Sequence, residues 1–175
     1  MKKYSILFVF YLLFLSCAMA ATYEFQRPIT VKVMLTNSPC YISPDPLTVE
    51  FNNVQVNQLY SSGVSLPFTI HLIGCDTTST DGIKLTFLGN ESDELPGFLK
   101  IPDSLGGSKG FAVGITNDKN EKININQTGE KIPLQSDDNF IDFIAHLKGE
   151  PTHIQNKTIQ LGEFFTTSTM VVSYE

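Results

Sequence analysis

Three histidines, two acidic runs and three cysteines are the side chains here whose types could carry chemistry. His71, His146 and His153 stand far apart, and none has a companion at the spacing of a zinc site or a catalytic triad. His71 and His146 fall in alternating, strand-like runs and are expected on a solvent face; His153 is expected in a loop. The runs ESDEL (91–95) and QSDDN (135–139) could hold calcium only if further oxygens converged on them, and they read as solvated turns. There is no Gly-rich phosphate loop and no Cys-x-x-Cys. The expectation is therefore a protein that is not an enzyme, with no catalytic residues, cofactor or metal. That leaves the cysteines.

Their setting depends on the first twenty residues. Lys2 and Lys3 precede an apolar run from about Ile6 to Leu15, and Ala18-Met19-Ala20 closes it with small residues at the right spacing. Residues 1–20 are expected to be a secretory signal peptide cleaved after Ala20, which removes Cys17. The remaining 175 − 20 = 155 residues suit one domain with a real core. Without Lys2 and Lys3 the formal charge is 10 − 18 = −8, with no basic cluster, so nucleic-acid binding is not expected. Cys40 and Cys75 remain, and an even pair in an exported chain reads as a disulfide.

Short alternating segments rich in Thr, Val, Ile and Phe recur between turn clusters. LTVEFNNVQV, LPFTIHLIGC, GIKLTFLG, KGFAVGITND, KIPL and NFIDFIAHLKG each read as a strand. SPDP, TTSTDG, DSLGGSKG, NDKNEK and GEPTHIQNK punctuate them, and a short helical turn fits VNQLYSSG or ELPGFL. The class is an all-β sandwich. Residues 164–175, FFTTSTMVVSYE, read as a strand to the last residue, and such a strand must pair on both sides or leave an open edge. The other oddity precedes Cys40. Tyr23, Phe25, Ile29, Val31, Val33 and Leu35, interrupted by Arg27, alternate with residues that are polar apart from Pro28 and Met34, over a length that a first sandwich strand does not need. This segment is either a long edge strand of its own sandwich or a strand used on another molecule.

At these residues the chain resembles the pilin subunits of the chaperone–usher route in Gram-negative bacteria. ITVKVMLTNSPC resembles that family's alternating extension running into its first cysteine, and LPFTIHLIGC its approach to the second. GFAVGITNDKNEKI is similar to its glycine-containing strand followed by a turn. NFIDFIAHLKG is similar to its aromatic-x-Ala-x-aromatic strand, with Leu147 where the family more often has Tyr. Gly162, Phe164, Thr166, Ser168, Met170, Val172 and Tyr174 match its terminal pattern. One departure stands out: no glycine occurs between Ala21 and Cys40, and Val31 or Val33 takes its place.

The resemblance implies an incomplete immunoglobulin-like β-sandwich lacking its final strand, with an N-terminal donor-strand extension. It implies three parts: a signal peptide at 1–20, the extension at 21–36 and the pilin sandwich at 37–175. Phe25, Ile29, Val31, Val33 and Leu35 would be the donated side chains. Phe164, Thr166, Ser168, Met170, Val172, Tyr174 and Glu175 would form the edge that takes a strand, with Tyr174 and Glu175 anchoring a chaperone. Implied partners are a periplasmic pilus chaperone, an outer-membrane usher and neighbouring pilin subunits, for a minor structural subunit of a cell-surface fimbria that contributes to adhesion. The alternative is a self-contained secreted β-sandwich binding module for a carbohydrate or receptor. The triplets at Asn90, Asn126 and Asn156, acceptors for N-glycosylation in a eukaryotic secretory path, read as chance in an Asn- and Thr-rich chain.

Overall fold

Strand-length alternation dominates the structure, a computed structural model that describes residues 39–42, 47–102, 107–160 and 162–175. Nine strands are present among the described residues: β1 (Tyr41–Ile42), β2 (Val64–Cys75), β3 (Gly82–Leu88), β4 (Leu99–Lys100), β5 (Phe111–Asn117), β6 (Lys122–Ile123), β7 (Ile132–Pro133), β8 (Asp137–Gly149) and β9 (Thr169–Tyr174). One sheet runs β1-β2-β8-β5-β4 with β6 on the end of β5, and the other runs β7-β3-β9. Every pairing is antiparallel. Residues 37–175 make one compact unit.

Period two decides which side chains meet. On β2 and β8 the register Phe68↔Phe143 and Ile70↔Ile141 turns one apolar set inward, while Thr69↔Asp142 and Ser65↔His146 face out. The rings of Phe68 and Phe143 stack at 5.5 Å. Phe87 of the other sheet meets Phe143 edge-on at 5.6 Å, which joins the two sheets through their centre. Phe143, Ala145 and Leu147 are all buried, so the aromatic-x-Ala-x-Leu stretch is the inward row of β8.

Gly114 has a different task. On the outer face of β5 a Cβ there would lie 2.4 Å from the ring of Phe98, which itself carries the Lys122 ammonium 5.0 Å from its centroid. Cys40 and Cys75 are joined in a disulfide that clamps the start of β1 to the end of β2, where Gly74, at φ +60°, sits in a bulge.

Three segments depart from the expected strands. LTVEFNNVQV contributes no strand; its end opens a short helix, α1 (Val56–Leu59), closed at its start by reciprocal bonds between Gln55 and Gln58, capped at its end by Tyr60 and followed by Gly63 at φ +79°, whose N–H donates to the Gln58 oxygen. GEPTHIQNK is not merely a turn: Pro151 at a first helical position and Lys157 in the left-handed conformation bound α2 (Pro151–Asn156). His153 therefore stands on a helix and not in a loop. The C-terminal strand begins at Thr169 and not at Phe164. The hydroxyls of Thr166 and Ser168 donate to the main-chain oxygens of Lys100 and Leu88, side-chain bonds that compete with a regular ladder.

Candidate assembly groove between the first and last strands

The last strand is paired on one side. Its ladder with β3 sets Tyr174 opposite Ile83, Val172 opposite Leu85 and Met170 opposite Phe87. Ile83, Leu85 and Phe87 are buried, yet their direct partners on β9 are only half-buried. The core thus loses its cover within one strand spacing. No strand pairs with the far edge of β9 among the described residues.

The other sheet repeats the pattern. Leu72 on β2 is 0% exposed, whereas Ile42, opposite it on β1, is 43% exposed although it belongs to the same inward row. The far edge of β1 also has no partner strand among the described residues. Two sheets therefore end in half-covered apolar strands, β1 and β9, and the open side between them is a groove. Its lips meet at one end, where the Tyr174 hydroxyl donates to the main-chain oxygen of Cys40 at 3.1 Å.

The expected edge residues share one parity, and Met170, Val172 and Tyr174 of them belong to β9. Phe164, Thr166, Ser168, Met170, Val172 and Tyr174 are all half-buried, and Phe165, Thr167, Thr169, Val171, Ser173 and Glu175 are exposed. Phe164 packs edge-on against Phe111 at 4.9 Å, inside its own sandwich. Glu175 is held by its own chain as well. Its side chain pairs with Lys84 at 2.6 Å, its main-chain N–H donates to Gly82, and its main-chain oxygen accepts from the Thr80 hydroxyl and the Asp81 N–H. The expected donor residues Phe25, Ile29, Val31, Val33 and Leu35 lie outside the described residues.

The remaining polar candidates have structural work. His71 lies on the outer face of β2, where its Nε2 meets the Asp138 carboxylate at 3.1 Å. Asp138 sits below the usual carboxylate range, chiefly because the Gly74 N–H donates to it and then because of His71. His146 is wedged between the hydroxyls of Ser65 at 2.7 Å and Thr116 at 2.9 Å, and burial, then the charge of Lys148, lowers its pKa.

The acidic run 91–95 disperses. Glu91 accepts from the Gly97 N–H, Asp93 pairs with Lys100 and Glu94 accepts from the Thr152 N–H. One grouping was not visible in the sequence. Glu94, Glu150 and His153 bring their polar atoms within 4.8 Å of one another, beside a cavity of about 200 Å³ that Lys100 and Lys109 also line. Glu94 accepting from the Thr152 N–H and Glu150 accepting from the Ser92 hydroxyl fasten the start of α2 to the 91–97 loop, His153 bonds Thr158 just past the end of the same helix, and the two lysines oppose a cation there.

Solved structures of pilus subunits share this two-sheet, immunoglobulin-like sandwich. The crystal structure of the P pilus rod subunit PapA superposes with a TM-score of 0.67 at 18% identity, covering 79% of this chain and 100% of that one. A subunit in a chaperone–usher pilus structure superposes at 0.66, also at 18% identity, covering 89% of this chain and 99% of that one. The profile of the family described as "Fimbrial protein" matches residues 28–175, and this chain belongs to that family. Among curated relatives, Fimbria A protein of Serratia marcescens is 26% identical over 84% of this chain and 83% of its own. The fimbrial adapter PapK of Escherichia coli is 27% identical over 93% and 96%.

Proposed function

We propose that this protein is a minor structural subunit of a chaperone–usher fimbria, polymerising by donor-strand complementation and exchange and so contributing to adhesion at the cell surface. One observation carries the reading. On both sheets the apolar inward row passes from buried to half-exposed in a single strand step, at Leu72 to Ile42 and at Leu85 to Val172.

A strand inserted there would pair with the far edge of β9 and cover the core with alternate side chains. A periplasmic chaperone would supply it first. At the outer-membrane usher, the extension of a neighbouring pilin subunit would replace the chaperone strand. Four or five apolar side chains buried at about 1.5 to 3 kcal/mol each give a gain on the order of 10 kcal/mol, enough for a joint that hardly dissociates. In turn, residues 21–36 of this chain would enter a neighbour with Ile29, Val31, Val33 and Leu35 inward and Thr30 and Lys32 in solvent.

Refolding the mature chain tests this directly. Alone it should aggregate or swap strands between copies, and a peptide of residues 25–36 in excess should yield a monomer whose Tm rises with peptide concentration. A stable monomer without the peptide, with a Tm that the peptide leaves unchanged, would count decisively against the reading.

A further inference from the structure

We infer that the outer face of β1, β2 and β8 around Tyr41, Ile73 and Phe140 is a second contact with a neighbour, namely the body of the fimbrial subunit that accepts this chain's own extension. The inference rests on the donor-strand reading above and adds a surface that the reading does not require.

The side chains form one patch. Tyr41 stands directly opposite Ile73, and His71, two residues from Ile73 on the same face of β2, stands opposite Phe140. Tyr41 is 67% exposed and Phe140 66%, with Ile73 also exposed between them. Isolated apolar residues on a surface need no explanation, but three adjoining ones do. The patch is also rigid. His71 stacks on Phe140 with ring centroids 4.3 Å apart, and Asp138, bonded to His71 and to the Gly74 N–H, holds that imidazole in place. A surface fixed in this way loses little side-chain entropy when it is covered.

Chain length says what covers it. From Leu35, the last inward residue of the extension, to Cys40 is five residues, which span at most about 18 Å when fully extended. Cys40 cannot swing away to lengthen that reach, because the disulfide ties it to Cys75 and Tyr174 bonds its oxygen. Tyr41 is the next residue. A neighbour that holds Leu35 in its groove must therefore bring its body up to the Cys40 corner, and on the outer face of the sheet at that corner Tyr41, Ile73 and Phe140 are exposed apolar side chains.

The test uses intact fimbriae assembled on cells, with p-benzoylphenylalanine replacing Lys32 or Phe140 in the full chain and crosslinked peptides identified after irradiation. The residue at 32, on the solvent side of the extension, should capture the subunit that takes the extension. The residue at 140 should capture that same subunit, at a yield several-fold above a control at Lys148, on the same face of β8 but about 26 Å along the strand. The inference is overturned if position 32 captures a subunit while position 140 does no better than the control, captures a different protein, or reacts with residues 21–38 of its own chain. If position 32 captures no fimbrial subunit, strand donation itself fails and the second contact falls with it.

Discussion

His146 is where a single residue makes the outer face of the larger sheet sensitive to pH. Its pKa is lowered from 6.5 by burial, so the unfolded chain binds a proton before the folded chain does. The folded state is then penalised progressively as pH falls below 6.5 toward the lower folded value. Above 6.5 there is no penalty. Replacing His146 with Gln, which can still bond Ser65 and Thr116, should flatten the fall in Tm between pH 7 and 5; equally steep profiles would refute this role. Gly114→Ala forces a methyl against Phe98 and should cost about 1 to 3 kcal/mol in urea unfolding. The disulfide closes a loop with a sequence separation of 35, worth roughly 4 kcal/mol in the chain-entropy model. The Cys40→Ser, Cys75→Ser double variant should lose a stability of that order, and an unchanged urea midpoint would contradict it.

Elements were legible where alternation met burial. LPFTIHLIGC, GIKLTFLG and NFIDFIAHLKG read as strands because each has one apolar row that lands in the core, as β2, β3 and β8 show. The parity of residues 164–175 was equally plain, but not where the ladder begins, because hydroxyl bonds from Thr166 and Ser168 to distant carbonyls leave no periodic signal. The clasp of Glu94, Glu150 and His153 was invisible for the same reason, since only the fold brings α2 to the 91–97 loop. The end of β9 carries a double load: Glu175 and Tyr174, proposed as a chaperone anchor, also bond Lys84, Thr80, Asp81 and Cys40. Trimming Ser173, Tyr174 and Glu175 should abolish co-purification with the chaperone. Lys84→Met, which breaks only the ion pair, should leave it intact. Undiminished recovery after trimming would remove β9 from the docking edge.

At the scale of the molecule, this member of the fimbrial protein family is a two-sheet sandwich in which, among the described residues, no strand pairs with the far edges of β1 and β9. In the proposed function the groove between β1 and β9 would receive a strand, and the extension before Cys40 would supply one in turn. Two such halves of a joint would convert a single fold into a polymer without a dedicated interface domain. The alternation of residues 29–35 makes the account sensitive to parity, because neighbouring positions should behave in opposite ways. Incorporation into surface fimbriae, scored by immunoblotting of sheared fibres from cells that also yield the chaperone-bound subunit, compares Val31→Asp and Val33→Asp with Lys32→Asp. An aspartate at 31 or 33 would bury an unpaired charge in a neighbour's groove, so both variants should be recovered with the chaperone yet be absent from fibres. Lys32→Asp, facing solvent, should assemble at close to the unmodified level. Normal incorporation of both valine variants would contradict strand donation by this chain.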